Sequence, residues 1–436
     1  MTLLFEQQMS LIQDRWPSLH RRLRTLLDDK VHPVPDVQRI QGRAGTLSIA
    51  GLQLSSRHAP EAEALRQAGT LPKAKTLHIY GPALGELPRT LLSTRKRLKR
   101  LAVHLLNPQV FLLVLKNSDQ SDWMQDERVQ IDLAADYAEV SAPFFAHPAE
   151  LVLADNASAR VRDRLIAENT LNFVRQTFRP DHPLLSRRLS GNTHLIQSDP
   201  DVSSLFASAP GRPAVVVGTG PSLEKMLPEL QQIHQQAPRP LFIAADTALR
   251  PLTLAGITPD VVVSIDHRTQ ARFLQCPEAE RITLVYAPVL PTEVLEAWPG
   301  PRLCSYSMSA LYAGLRRSLP RSALFNGGSV IHPAVDLAVK MGAQQVTLYG
   351  TDFCFPGGKT HAHWPAGELH TDLDSARHWV LNGRGERVPT HANFASYLVE
   401  LERYIRRHPG VRFIQASLDS ARIAGSTSRK DAAPCP

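Results

Sequence analysis

Gly218-Thr219-Gly220-Pro221-Ser222 follows the apolar run Val215-Val216-Val217 and precedes a helical pattern. Two glycines permit a tight turn and close approach of a ligand to the backbone. Pro221 suits the first helical position, where its missing N–H costs nothing, and Ser222 adds a hydroxyl at the helix start. Free N–H groups and the helix dipole at such a start favour an anion, typically phosphate. The alternative is a structural turn, since the spacing is neither the dinucleotide GxGxxG nor the GxxxxGK[ST] of an ATP-binding loop.

A second turn of the same kind is Asn326-Gly327-Gly328-Ser329, before a helix running to Met341 with Gly342 as its C-cap. Two glycine turns at helix starts on one sheet edge could hold two parts of one anionic ligand. Asp246 and Asp266 end two apolar strands and could take a ribose hydroxyl, a base or a metal ion; an Asp after a strand also caps the next helix. Asp352 lies just past the strand "VTLYG". After it come the Gly357-Gly358 turn, Lys359, His361 and His363, then His370, Asp372, His378 and His391. His361-x-His363 has neither a helical pairing nor a close cysteine, so the reading without metal is preferred. A loop this long after a strand is usually functional, often a lid. A histidine there can act as general base near neutral pH. His391 opens the amphipathic stretch "HANFASYLVELERYI"; an N-cap or a surface histidine is the competing reading.

These residues need a frame. In the C-terminal half, "AVVVG", "LFIAAD", "VVVSID", "TLVYAP", "RLCSY", "ALFNG", "QVTLYG" and "VRFIQ" read as strands with helical segments between most of them. Near-continuous apolar strands separated by helices predict a mostly parallel sheet covered on both faces. Ligands of such sheets sit at the carboxyl ends of the strands. The fold expected is α/β: a Rossmann-like central domain over 213–426 and a smaller N-terminal α/β domain over 1–178. In the latter, "TLHIYGPALGELPRTLL" reads as strand, glycine turn and helix, and "RLAVHLL", "VFLLVL" and "VQIDLA" as further strands. Residues 156–177 read as one helix, 179–212, rich in Pro, Ser and Arg, as a linker or capping segment, and 427–436 as a disordered tail.

Composition is that of an ordinary globular chain, 43% hydrophobic and 21% charged over 436 residues, which is long enough for two domains. No apolar run suffices to span a bilayer, and the first residues lack the pattern of a signal peptide. Cys276, Cys304, Cys354 and Cys435 have no close spacing and read as free thiols of a reducing, cytoplasmic compartment. A net charge of +8 favours anionic partners. The densest basic cluster, Arg95-Lys96-Arg97 with Lys99-Arg100, reads as a solvated helix face: no aromatics interleave with it, so neither nucleic acid nor membrane is expected as a partner.

With these residues in place, the sequence resembles the motility accessory factor (Maf) glycosyltransferases. GTGPSLE, AADTAL with GITPD, VSID, NGGSV and LYGTDFCFPGGKTHA occur in the same order over about 214–425, and "IYGPALGEL" is similar to the N-terminal domain of that family. The central region is also similar to bacterial sialyltransferases that use CMP-sialic acid. The same domain class includes a 6-hydroxymethylpterin pyrophosphokinase using ATP and magnesium. The resemblance implies transfer of a nonulosonic acid, pseudaminic or legionaminic, from a CMP-activated donor to Ser or Thr of flagellin, with inversion and without cofactor or metal.

By the same resemblance, Gly218, Gly220, Pro221 and Ser222 bind the CMP phosphate and ribose; Thr219 in the same turn and Asp246 and Asp266 at their strand ends are assigned to the donor site with them. Asn326, Gly327, Gly328 and Ser329 contact the cytidine and sugar. Asp352 lies in the pocket and His391 is the positional counterpart of the base; Lys359 and His361 are assigned to an acceptor or lid loop from their place in the long segment after the strand. The paired tyrosines of the sialyltransferases have no clear counterpart. Two alternatives remain: a pyrophosphokinase in which Asp246, Asp266 and Asp352 hold magnesium, and a flagellin-binding assembly factor without turnover.

Overall fold

The computed structural model describes residues 2–28, 36–134, 139–177, 179, 181–363 and 376–429. His370, Asp372 and Cys435 lie outside them. The chain divides into two compact units, Met1–Ile166 and Ala167–Pro436. The division falls inside the helix Ala159–Thr177 rather than after residue 178.

In the first unit, β1 (Val37–Ile40), β2 (Thr46–Ile49) and β3 (Leu52–Gln53) form an antiparallel meander. A second sheet holds β4 (Thr76–Tyr80), β5 (Arg100–Leu105), β6 (Val129–Leu133) and β7 (Phe144–Ala146) in the order β6-β5-β4-β7, all parallel. Its core joins Leu77, Ile79, Leu101, Val103 and Ile131 to Phe5, Met9, Ile12 and Leu23 of the first two helices. "VFLLVL" is not a strand: it belongs to the helix Pro108–Asn117. Asn107 caps that helix through Gln109 N and Val110 N, Pro108 sits at its first turn, and burial around the helix explains the unbroken apolar run. The basic cluster is likewise not a helix face, because the helix Glu86–Thr94 ends at its cap Arg95 and the chain turns there.

The second unit is built on eight parallel strands. They are β8 (Ala214–Val217), β9 (Leu241–Ala245), β10 (Val261–Ser264), β11 (Thr283–Tyr286), β12 (Arg302–Cys304), β13 (Gln345–Tyr349), β16 (Arg412–Gln415) and β17 (Thr427–Ser428), in the order β12-β11-β10-β9-β8-β13-β16-β17. Between β13 and β16 lies a hairpin of β14 (His378–Leu381) and β15 (Arg387–Thr390). Every residue of β8, β9 and β10 is buried, as a sheet covered on both faces requires. "ALFNG" joins no ladder; Ala323 makes only an isolated bridge to Tyr306.

Two further expectations are corrected. Residues 179–212 are no linker: they fold into the helices Pro183–Gly191 and Thr193–Ser198 and a 3-10 turn, Val202–Leu205. Asn192 Nδ2 donates to the carbonyls of Pro288 and Leu290, and Asp199 accepts from Tyr286 and Arg302, so the segment is fastened to the sheet. The tail also begins with structure, since Thr427 and Ser428 pair with Ile414 and Gln415.

The strand order sets where a ligand can sit. From β8 the chain builds outward to β12, then returns to the other side of β8 with β13. The crevice between their carboxyl ends is a topological switch point, the usual ligand position in open α/β sheets. The first unit repeats the pattern with β4 and β7.

Candidate functional site

The GTGPS turn leaves the carboxyl end of β8 and enters the helix Ser222–His234. It is packed against the chain leaving β13. A Cβ on Gly218 would lie 2.5 Å from Gly350 O, and one on Gly220 would lie 2.5 Å from Asp352 Cγ, so only glycine fits at either place. Three of its N–H groups are already used: Gly218 N donates to Tyr349 O (2.8 Å), Gly220 N to Gly350 O (2.7 Å) and Ser222 N to Asp352 Oδ2 (2.8 Å). Asp352 Oδ1 accepts from the hydroxyls of Ser222 and Ser420, both at 2.5 Å.

The helix start therefore does not offer the free N–H groups that an incoming phosphate was expected to use. A built-in carboxylate occupies that place and draws on the same dipole. Asp352 is buried; desolvation pushes its carboxyl upward, against the pull of the Ser222 and Ser420 bonds. The next residue, Phe353, has φ of 51°, a conformation a bulky side chain rarely adopts, and Thr390 Oγ1 donates to its carbonyl at 2.7 Å.

The second glycine turn stands beside the first: a Cβ on Gly218 would lie 2.9 Å from Ile331 Cδ1, at the start of the helix Ile331–Lys340. The pairing of the turns expected from sequence is thus present, but this turn too is internally bonded. Gly327 N and Ser329 N donate to His332 Nδ1 (3.0 and 3.3 Å), Gly328 N to Asn326 Oδ1 (2.8 Å) and Ile331 N to Ser329 Oγ (3.3 Å). What the two turns present is side chains. Asn326 is exposed, and Thr219 Oγ1 lies 2.5 Å from Thr247 Oγ1 at the end of β9.

Asp246 is buried and accepts from Thr247 N, Ser264 Oγ and Thr269 Oγ1. Desolvation raises its pKa despite those bonds. Asp266 is half-exposed and paired with Arg268; burial opposes ionisation, but Arg268 and His267 hold its carboxyl below the ordinary value.

On the other side of Pro221 and Ser222 lies a cleft of about 410 Å³. Phe355, Gly357, Gly358 and Lys359 form one wall, Asn382 and residues 386–389 another, and Asp419 closes it. Three ion pairs ring it: Lys359–Glu224, Lys225–Asp419 and Arg384–Asp419. Ala362 N donates to Thr219 O at 2.8 Å, which brings the loop carrying Lys359 and His361 onto the first turn. His361 is half-buried. His391 occupies the N-cap position of the helix Ala392–Arg407 without a side-chain cap bond, and its ring packs on Phe355, 4.9 Å between centroids. His378 begins β14.

Sequence reading passed over Ser420, Thr247 and His332. Ser420 and Thr247 follow the strands "VRFIQ" and "LFIAAD", where the rule of strand ends already pointed. His332 carried no signal of spacing.

With the geometry established, the comparisons fall into place. Residues 187–358 match the family model described as 6-hydroxymethylpterin diphosphokinase MptE-like. The MptE-like stretch starts in the helix Pro183–Gly191 and spans both glycine turns and Asp352, so the MptE-like side of the resemblance stands. No curated protein matches the chain. Among solved structures, the chain is similar to a Maf glycosyltransferase from Magnetospirillum magneticum AMB-1, at 17% identity, covering 98% of this chain and 74% of that one, with a TM-score of 0.39. A likeness at that level leaves function to be argued from this chain's own residues. No helix among the described residues is long and apolar enough to cross a membrane.

Proposed function

We propose that the second unit is a glycosyltransferase that moves a nonulosonic acid, pseudaminic or legionaminic, from its CMP-activated form to a Ser or Thr hydroxyl of flagellin in the cytoplasm. The observation that carries this reading is the meeting of two glycine turns at the β8/β13 switch point with a cleft on the far side of Pro221 and Ser222. In this reading the CMP moiety lies over Thr219, Thr247 and Asn326, with Asp266 and Arg268 at its rim. Gly218, Gly220, Gly327 and Gly328 allow the close approach of the elements around it, and Asp352 and Ser222 fix the floor. The acceptor segment enters the cleft between Lys359 and Asp419.

The acceptor oxygen attacks the anomeric carbon, the bond from that carbon to the CMP phosphate oxygen breaks, and CMP leaves. His391 takes the hydroxyl proton, and no metal or cofactor takes part. Since CMP leaves readily, the chain mainly positions and shields the reactants. Each cation around the cleft has a carboxylate partner, Lys359 with Glu224 and both Lys225 and Arg384 with Asp419, which suits a polar acceptor better than a polyanion.

The match to the MptE-like family favours a second reading, a pyrophosphokinase acting with ATP and magnesium. Its donor set fits less well: Asp246 is engaged by Ser264 and Thr269, Asp352 by Ser222 and Ser420, and Asp266 by Arg268. A transfer assay decides between them. Flagellin mass should rise by one nonulosonic acid residue per site when the protein is given the CMP-sugar, with EDTA present. Transfer of diphosphate from ATP to a pterin alcohol, with no sugar transfer, would overturn the first reading.

A further inference from the structure

His332 has no solvent exposure, and every polar atom of its ring is committed. Nδ1 faces two donors, Gly327 N at 3.0 Å and Ser329 N at 3.3 Å. An atom that accepts from two N–H groups carries no hydrogen, so the ring's one hydrogen is on Nε2. That nitrogen lies 2.9 Å from Tyr397 O, which can only accept. The imidazole is thus held as a single neutral tautomer that ties the second glycine turn to the helix Ala392–Arg407. Packing makes the same join: a Cβ on Gly328 would lie 2.5 Å from Tyr397 Cε1, and one on Gly327 would lie 2.7 Å from Glu400 Cβ.

We propose that His332 is a positioning residue that locks the Asn326–Ser329 turn and the helix carrying His391 into one rigid piece, so that the donor's side chains and the base keep a fixed spacing. This deepens the reading of the site as a CMP-sugar transferase and rests on it for the identity of the ligand. The group cannot serve as a proton carrier in this state: burial holds its pKa down to about 4, against the pull of the Tyr397 carbonyl. The ionisable neighbours are Asp336 on its own helix, engaged by Lys340 and Tyr404, and Tyr397 and Glu400 on the facing helix, with Glu400 paired to Arg403.

Two variants separate positioning from mere stability. His332→Phe keeps the ring but leaves two half-buried N–H groups without an acceptor; His332→Asn supplies an amide oxygen near the place of Nδ1. CMP affinity should fall roughly 10-fold or more in His332→Phe, as two donors left unpaired in the turn imply, and recover to within roughly 3-fold of wild type in His332→Asn. Equal CMP affinity in wild type and His332→Phe, with only the melting temperature lowered, would overturn the proposal. A readout without ligand keeps it testable should the wild type bind no CMP, an outcome that would sink the transferase reading alone. Imidazole 15N shifts of His332 should report the Nε2–H tautomer unchanged from pH 8 to pH 5. An Nδ1–H tautomer, or an imidazolium at pH 6, would overturn the locked geometry itself.

Discussion

The two units solve one problem twice. In each, a glycine turn leaves the first strand of a parallel sheet at the switch point, and a carboxylate from the chain across the switch reaches into it. Glu150 accepts from Ala83 N at 2.6 Å, and a Cβ on Gly81 would lie 2.6 Å from Glu150 Cβ. Asp352 accepts from Ser222 N in the same way. The difference is what surrounds the carboxylate. Asp352 has two hydroxyl donors besides the amide, and one of them, Ser222, lines a cleft of about 410 Å³. Glu150 is pushed up to about 7 by burial, with the Ala83 amide working against it, and the hollow at its turn encloses about 10 Å³, room for one water. The same switch point and glycine turn thus frame hollows of very different size. The second unit adds a neighbouring glycine turn, a hydroxyl-rich rim and an open cleft.

Removing the carboxylates should separate the two. Asp352→Ala leaves the Ser222 amide and two hydroxyls without their acceptor and should cost about 4 kcal/mol of stability, read by urea unfolding at pH 7. A loss under 1 kcal/mol would mean that water replaces Asp352 and that the turn is not built on it.

Glu150→Gln should act through pH. An ordinary carboxyl titrates near 4.5, while Glu150 sits near 7 when folded. Below pH 4.5 both states hold the proton, and the group's contribution is fully present. As pH rises through 7 that contribution is lost, in total by about 3 kcal/mol. The glutamine variant carries no such charge, so it should gain on wild type by that amount between pH 4.5 and pH 8. A pH-independent difference between the two would show that Glu150 titrates normally.

Asn326→Ala tests the rim rather than the floor. It removes the acceptor of Gly328 N and an exposed amide, so stability should drop by about 1 kcal/mol while CMP affinity falls several-fold. Unchanged affinity would take Asn326 out of the donor site. The smallest effect should come from Lys225→Ala, which breaks a largely exposed ion pair with Asp419 and should change stability by about 0.5 kcal/mol or less.

Much of this frame was legible in the sequence. Apolar strands such as Val215-Val216-Val217 and Val261-Val262-Val263 announced a sheet covered on both faces, and the glycine turns after β8 and before the helix Ile331–Lys340 were placed correctly. The strand rule failed at Phe111–Leu115, where an all-round buried helix has the same unbroken apolar pattern as a buried strand. Composition misled over 179–212, where Pro, Ser and Arg suggested a linker or capping segment. Pro183 starts a helix there, and the polar groups of Asn192 and Asp199 fasten the segment to the sheet. The chemistry of the turns was the least legible part. Local sequence shows a helix start with free N–H groups, but the residues that consume them, Asp352 and His332, come from contacts the spacing does not encode.

The central claim is that the β8/β13 crevice takes a cytidine nucleotide. Calorimetric titration of the full chain with CMP, and separately with ATP, each with magnesium and with EDTA, tests it most directly. The account predicts saturable one-to-one binding of CMP that EDTA does not weaken. Binding of ATP only, and only with magnesium, would contradict it.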